Sequence, residues 1–273
     1  MVKTAGRVIM YVFLIVALIL YLFPIYLIVI NSFKPFKDMF ESCLAFPKSL
    51  YLDNYITAFS SSGFIRRLFN NIVLTFMTVA GVLLVTSMAG YKLSRVKSKL
   101  SKFLYLLYTV PFLIPFYTYM IPLVQLITKM KLMNTLSGVA LISISSSSFA
   151  FFMFHGFVKT IPVELDESAR IDGCGEFRIY TRIIVPLLKP IMSSVAVLYA
   201  IWTWNDFLLP FLILNNPEKQ TVTIAVYQMF GKFGSDWDVI TATLVLASLP
   251  MVILYIVLQK YVISGIVAGA MKG

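Results

Sequence analysis

The sequence predicts an all-α membrane protein that crosses the bilayer six times, and three observations carry that prediction. The chain is 59% hydrophobic and only 13% charged, whereas a soluble domain carries about 25% charge and about 45–50% apolar residues. Its mean hydropathy is +0.87. The apolar residues gather in six runs, each near the ~20 residues a helix needs to cross ~30 Å of hydrocarbon. Backbone groups inside a bilayer must satisfy their own hydrogen bonds, and a lone run of that length does so as a helix.

The first run, 8–30, is too long for a signal-peptide core and has no small-residue cleavage site after it, so it is expected as a retained span. Runs 72–93, 103–127 and 136–158 follow. Pro24 in the first span and Pro111, Pro115 and Pro122 in the third are candidate kinks. The fourth holds Ser143, Ser145, Ser146, Ser147 and Ser148, which suit close helix packing or a polar lining. Tyr117, Tyr119 and Gln125 in the third pose the same pair of readings. The fifth run, 187–214, is long enough to tilt or to extend beyond the core. The sixth is 239–262. Of the connections, 31–69 contains an amphipathic piece at 52–59 expected to lie at the interface. The segment 215–238 carries Pro217, Gly231 and Gly234 and is expected to be irregular, as a contact for an external partner or as a plain solvated loop.

Lysines and arginines set the orientation. With the N-terminus inside, 14 of the 23 fall on the cytoplasmic side. The cluster Lys92, Arg95, Lys97, Lys99 and Lys102 between the second and third spans decides it. Both termini are then cytoplasmic.

Composition also excludes several classes of function. The formal net charge of +11 sits in short clusters beside apolar runs, where it meets anionic lipid headgroups rather than nucleic acid. Cys43 and Cys174 fall on opposite sides of the predicted topology and cannot pair, and no metal-ligand spacing exists. His155, the one histidine, ends an apolar run and reads as an interfacial residue more readily than as a proton relay. There is no glycine-rich phosphate loop and no nucleophile–base pair. The spans hold one clear acid, Asp206, where an ion-coupled transporter buries several. Uphill transport by such a chain would need energy from another subunit.

The segment 164–190 interrupts this hydrocarbon with acids, bases and glycines. Pro162 suits a first helical turn, and Glu164, Asp166 and Glu167 then favour the N-terminal dipole. Asp172-Gly173 ends the helix, with Gly173 free to take the left-handed conformation. The stretch 176–185 is expected as a second short helix, with Pro186 and Pro190 marking re-entry into the membrane. By itself, this is a helical surface loop or a docking surface.

The loop resembles the EAA loop of permeases in bacterial ATP-binding-cassette (ABC) importers, which reads Glu-Ala-Ala, three residues, Gly, then an apolar run closing in Leu-Pro. Glu167-Ser168-Ala169 occupies the first element, with Ser168 in place of an alanine. Gly173 matches the glycine, Tyr180 an aromatic position usually filled by Phe, and Ile183 and Pro186 the close, with Val185 in place of Leu. The resemblance implies the type I ABC importer permease fold over a single permease domain, 1–273, with a cytoplasmic coupling loop at 159–186. It implies that Glu164, Glu167, Ser168, Ala169, Asp172 and Gly173 meet a cytoplasmic ATPase. Glu167 would offer charge, Ala169 close packing and Gly173 the turn. Closure of the ATPase around ATP would then move the coupling helix as a lever.

Two further stretches resemble the second, six-span permease subunit of maltose-type carbohydrate importers. Within the expected cytoplasmic tail 263–273, the stretch 265–273 is similar to a C-terminal signature that reaches the ATPase dimer interface, which implies contact through Gly269, Ala270 and Lys272. The stretch 202–210 resembles an aromatic–Asn–acid motif of span five. There Trp202 and Asp206, four residues apart, would share a helix face and could meet a sugar, or Asp206 and Asn205 could tie the span to a neighbouring helix. Tyr117, Ser146, Trp202, Asn205 and Asp206 are therefore candidates for the translocation path. The implied partners are a homologous permease, a dimeric ATPase that holds ATP and Mg, an extracytoplasmic solute-binding protein, membrane lipid and a carbohydrate. The chain itself is expected to bind no cofactor, metal or nucleic acid and to catalyse nothing, within a bacterial cell membrane. A glycerol-phosphate-type importer shares these motifs, and a self-sufficient secondary transporter is the alternative of a different class.

Overall fold

The computed structural model describes residues 2–60, 63–232 and 236–270, with side chains for 6–60, 63–230, 236–257 and 259. Among these residues there are helices and turns and no strand. Four helices are long and apolar enough to cross a membrane: Gly6–Ser32, Phe64–Arg95, Glu176–Asn205 and Trp237–Val257. Two bent pairs reach that standard together, Lys99–Leu113 with Phe116–Lys129 and Leu136–Ser145 with Ser148–Val158. Counting each pair as one span makes six.

The third and fourth spans are broken rather than continuous, and local chemistry explains both breaks. Between Lys99–Leu113 and Phe116–Lys129 the chain turns by 111°. Pro111 opens a tight turn over Val110–Leu113, and Ile114, the residue before Pro115, is extended at φ −95°, ψ 118°. A proline excludes its predecessor from the helical region in this way. Pro24 and Pro122 stay inside unbroken helices. The 47° bend of the fourth span falls on the serine run. Ser145 Oγ donates to the carbonyl of Ile142 and Ser147 Oγ to that of Ile144, so hydroxyls compete for acceptors at the end of the helical ladder.

The fifth span differs from expectation at both ends. The separate short helix expected over 176–185 is the start of one continuous path to Asn205. A π-helical turn at Tyr180–Ile184 precedes Pro186, and the amide of Val185 bonds to the carbonyl of Tyr180. Such a turn loosens the ladder where the proline ring would meet a carbonyl. At the far end the helix stops at Asn205 instead of reaching 214. Pro210 has no N–H for the carbonyl four residues before it, which is that of Asp206. Asp206 is extended at φ −67°, ψ 123°, and its carbonyl accepts instead from Thr223 Oγ at 3.0 Å. A short helix, Leu208–Ile213, resumes beyond the break.

The described residues divide into two compact units, Met1–Arg66 with Ile224–Pro250, and Arg67–Thr223 with Met251–Gly273. In the first, the connection after the opening helix folds into Phe36–Glu41 and Asp53–Ser60, the latter being the expected amphipathic piece. A buried polar knot fastens it. Lys34 Nζ donates to Asn31 Oδ1 at 3.0 Å and to the Ser42 carbonyl at 3.1 Å. Asn54 Nδ2 donates to the carbonyls of Ser32 and Lys34. Burial pushes the Lys34 ammonium pKa below its ordinary value, against the pull of Asp38.

In the second unit, one apolar core joins the C-terminal half of span two to the polar segment 164–186. It includes Val82, Phe154, Val158, Ile179, Ile184 and Leu188. Gly90 sets the approach of Phe64–Arg95 to Ser148–Val158, since a Cβ there would stand 2.8 Å from Phe154 Cβ and 2.9 Å from the His155 amide. His155, in the last turn of Ser148–Val158, is buried within the chain, with its ring 4.9 Å from that of Tyr105. The segment expected to be irregular after 215 contains a turn at Pro217–Lys219 and a helix, Val222–Lys232. Asn70 Nδ2 holds that turn by bonds to the carbonyls of Glu218 and Gln220, both at 2.9 Å.

Candidate functional site

The polar segment 164–186 is built by its own sequence and then seated by span two. Glu164–Ile171 forms a two-turn helix with Glu164, Asp166 and Glu167 in its first turn and Arg170 in its last, the charge order that suits a helix dipole. It ends in a Schellman motif: the amide of Cys174 bonds to the Ala169 carbonyl at 2.9 Å and that of Gly173 to the Arg170 carbonyl at 3.0 Å. Gly173 holds φ +78°, which an L-residue adopts at a cost of roughly 1–2 kcal/mol. Cys174, beside this turn, packs against the core that includes Ala169.

Of the six residues expected to meet an ATPase, Glu164, Glu167, Ser168, Asp172 and Gly173 are exposed. Ala169 is not. It is buried in the core with Ile179 and Tyr180, so its close packing is within this chain. The reason is helical register: Asp166 and Ala169, three apart, lie on the inward face. The outward surface also carries apolar side chains, with Ile171 87% and Phe177 71% exposed.

The seat of this helix was also missed. Asp166 is fully buried and salt-bridged to Arg95, whose side chain is 10% exposed. The same guanidinium donates to the carbonyls of Val158, Ile161 and Pro162 at 3.4, 3.0 and 3.5 Å. Nearby, Lys92 Nζ donates to Glu176 at 3.0 Å, and Glu176 also accepts from Arg170. That bond raises the Arg170 pKa above its ordinary value. Ser87 Oγ and the Tyr180 hydroxyl are 2.6 Å apart, and the rings of Tyr91 and Tyr180 lie 5.8 Å apart. Ser87, Tyr91 and Arg95 recur every four residues on one helix face. The exposed Lys92–Glu176 pair contributes about 0–1 kcal/mol, while removing one partner of a buried pair costs about 3–5 kcal/mol. Truncating Arg95 or Asp166 alone is thus expected to disturb the seat more than truncating Lys92. In sequence, Arg95 is one of five basic residues in a charge cluster, and nothing in its immediate neighbours marks it as the one that turns inward.

Three of the five path candidates come together. Trp202, Asn205 and Asp206 line an open cleft of about 350 Å³ with Ser143, Tyr199 and Thr203. The shared helix face proposed for Trp202 and Asp206 does not exist, because the helix ends between them. They meet through the break. Trp202 is half-exposed and stands edge-on to Tyr199 at 5.1 Å, while Asp206 Oδ1 accepts from the Leu209 amide at 3.4 Å and caps the next helix. Ser146 and Tyr117 are exposed and do not line the cleft, where Ser143 stands instead. The expected tail contact lies outside the described residues at Lys272, and Gly269 and Ala270 are described only as the end of helix Trp237–Ala270. Both cysteines are free, and among the described residues no group of His, Cys, Asp and Glu is arranged to hold a metal.

Six candidate spans, two of them bent pairs, with a charged loop seated against the end of span two, make up the framework of a multi-span membrane protein. The chain belongs to the family of binding-protein-dependent transport system inner membrane components, which it matches over residues 81–267. It is 40% identical over 259 residues to a probable starch degradation products transport system permease protein, AmyC, of Thermoanaerobacterium thermosulfurigenes, covering 94% of each chain. It is 32% identical over 271 residues to the arabinooligosaccharides transport system permease protein AraQ of Bacillus subtilis, covering 98% of this chain and 96% of that one. Its fold is similar to that of a chain in the crystal structure of a bacterial ABC transporter involved in import of the acidic polysaccharide alginate. That match has a TM-score of 0.86 at 20% identity and covers 95% of this chain and 97% of that one.

Proposed function

We propose that this permease translocates a neutral carbohydrate, most simply an oligosaccharide, and that a separate cytoplasmic ATPase drives it through the 164–186 segment. The observation that carries the coupling role is the paired character of that segment: an inward face fixed by Arg95–Asp166 and an outward face presenting Ile171 and Phe177 beside Glu164, Glu167 and Asp172. Ile171 and Phe177, left open among charged residues, suit burial against a protein partner, which would contribute about 1.5–3 kcal/mol for each. The loop lies inside if the basic cluster at 92–102 does, which places both termini in the cytoplasm.

The carbohydrate reading is supported by the names of the relatives, which include transporters of arabinooligosaccharides and of melibiose, raffinose and stachyose. It is also supported by the cleft. An aromatic face at Trp202, hydroxyls at Ser143 and Thr203, and the amide and carboxylate of Asn205 and Asp206 offer a polyol both stacking and hydrogen bonds. In this reading the chain is non-catalytic and binds no cofactor. ATP and Mg belong to the dimeric ATPase, a homologous permease completes the pathway, and an external solute-binding protein delivers the sugar. Lipid surrounds the spans and no nucleic acid is involved.

Gly173→Pro tests the coupling role, because proline cannot take the positive φ that Gly173 holds. In proteoliposomes containing the whole importer, sugar moved per ATP hydrolysed should fall by more than about tenfold, as expected when a helix-terminating turn worth a few kcal/mol is lost. Unchanged uptake would remove the segment from the coupling path.

A further inference from the structure

The chain itself leads the coupling helix into span five, through the turn at Gly173 and the continuous helix Glu176–Asn205. The side chains lead it elsewhere as well. We infer that Arg95 and Asp166 are positioning residues that form the joint through which movement of the coupling segment is delivered to span two. This inference rests on the proposed role of the segment in coupling and adds the route that the movement takes inside this subunit.

Four observations support the joint. Asp166 is fully buried and Arg95 nearly so, so sliding the helix away from span two would strand two opposite charges without water, which breaks far less readily than a surface pair. Arg95 also holds the carbonyls of Val158, Ile161 and Pro162. One guanidinium therefore grips both the turn that enters the coupling helix and the helix itself. The planar fork of arginine allows this, since its donors point in several fixed directions. One and two turns back along span two, the Tyr91 ring lies tilted against that of Tyr180 and Ser87 Oγ shares a hydrogen bond with the Tyr180 hydroxyl. The weaker Lys92–Glu176–Arg170 chain lies at the exposed edge. The inner end of span two, the turn at 158–162, the coupling helix and the start of span five consequently move as one piece. A displacement applied at the loop reaches span two directly rather than only by way of span five.

The experiment uses the complete importer in proteoliposomes, with solute uptake and ATP hydrolysis measured in the same preparation. Asp166→Asn and Arg95→Gln keep the approximate size of each side chain and remove its charge. Each should lower the solute moved per ATP by more than about tenfold. Asp166→Glu restores the charge and should recover a large part of the ratio lost in Asp166→Asn, though not all of it, since an added methylene strains a packed site. The ratio unchanged in both neutral variants would overturn the joint, as would a Glu variant no better than the Asn one. Failure of the neutral variants to co-purify with the ATPase would also overturn it, by making the pair a requirement for folding or docking. Gly173→Pro, run alongside, separates the two readings. A defective Gly173→Pro with normal Asp166→Asn refutes the joint alone, whereas normal coupling in Gly173→Pro refutes the coupling role of the segment.

Discussion

Pro210 and Gly173 show how single residues shape the two working parts of this chain. Pro210 withholds the N–H that the Asp206 carbonyl would need, and the resulting break brings Asp206 and Trp202 into one cleft from different elements. Asp206→Asn keeps the cap on Leu209 while removing the charge. If the carboxylate meets the sugar, this variant changes the order of preference among oligosaccharides in a competition uptake assay, while the solute moved per ATP for the best substrate changes little. A cap-only role predicts an unaltered preference order. Gly173 needs its positive φ but has open space around it, with no atom within 4 Å of a built Cβ. Gly173→Ala is therefore expected to cost only about 1–2 kcal/mol, through backbone strain, and to lower thermal unfolding of the purified complex slightly without abolishing uptake. The glycine was legible from sequence because only that residue suits such a turn. Asp166 was read as an acid favouring a helix N-terminus, because a charge looks the same in sequence whether its partner is water or an arginine 71 positions away.

At the scale of elements, hydropathy located the spans but not their interruptions. A window of apolar residues measures how much of the chain prefers hydrocarbon, and that quantity does not change when the helix bends by 111°. The proline pair at Pro111 and Pro115 announced the first break, although Pro24 and Pro122 looked alike and left their helices intact. The serine run gave the weaker signal, since serines pack helices as readily as they end them. Span two is one unbroken helix, Phe64–Arg95, and its close approach at Gly90 makes that position intolerant of bulk. Gly90→Val should destabilise the complex by about 1–3 kcal/mol, the usual cost of overpacking. Thermal unfolding of the detergent-purified importer measures this, and a transition unchanged from the parent would place the two helices further apart than described here.

For the whole molecule, the proposed function makes the chain a conduit rather than an engine, with energy entering where the polar segment 164–190 meets a cytoplasmic ATPase. Six-span character and the polar segment were both plain in the sequence, because they rest on composition over long stretches. The cleft and the seat of the coupling helix were not, because they join residues far apart in the chain. The outward face of the loop gives the most direct test. A photo-reactive amino acid placed at Ile171, which is 87% exposed, would be activated in membranes containing the assembled importer, with the same group at Tyr117 as the reference. The account predicts a covalent adduct between the Ile171 variant and the ATPase polypeptide, with none from Tyr117. No adduct at Ile171 in an importer that still transports, or capture of the external binding protein there instead, would contradict it.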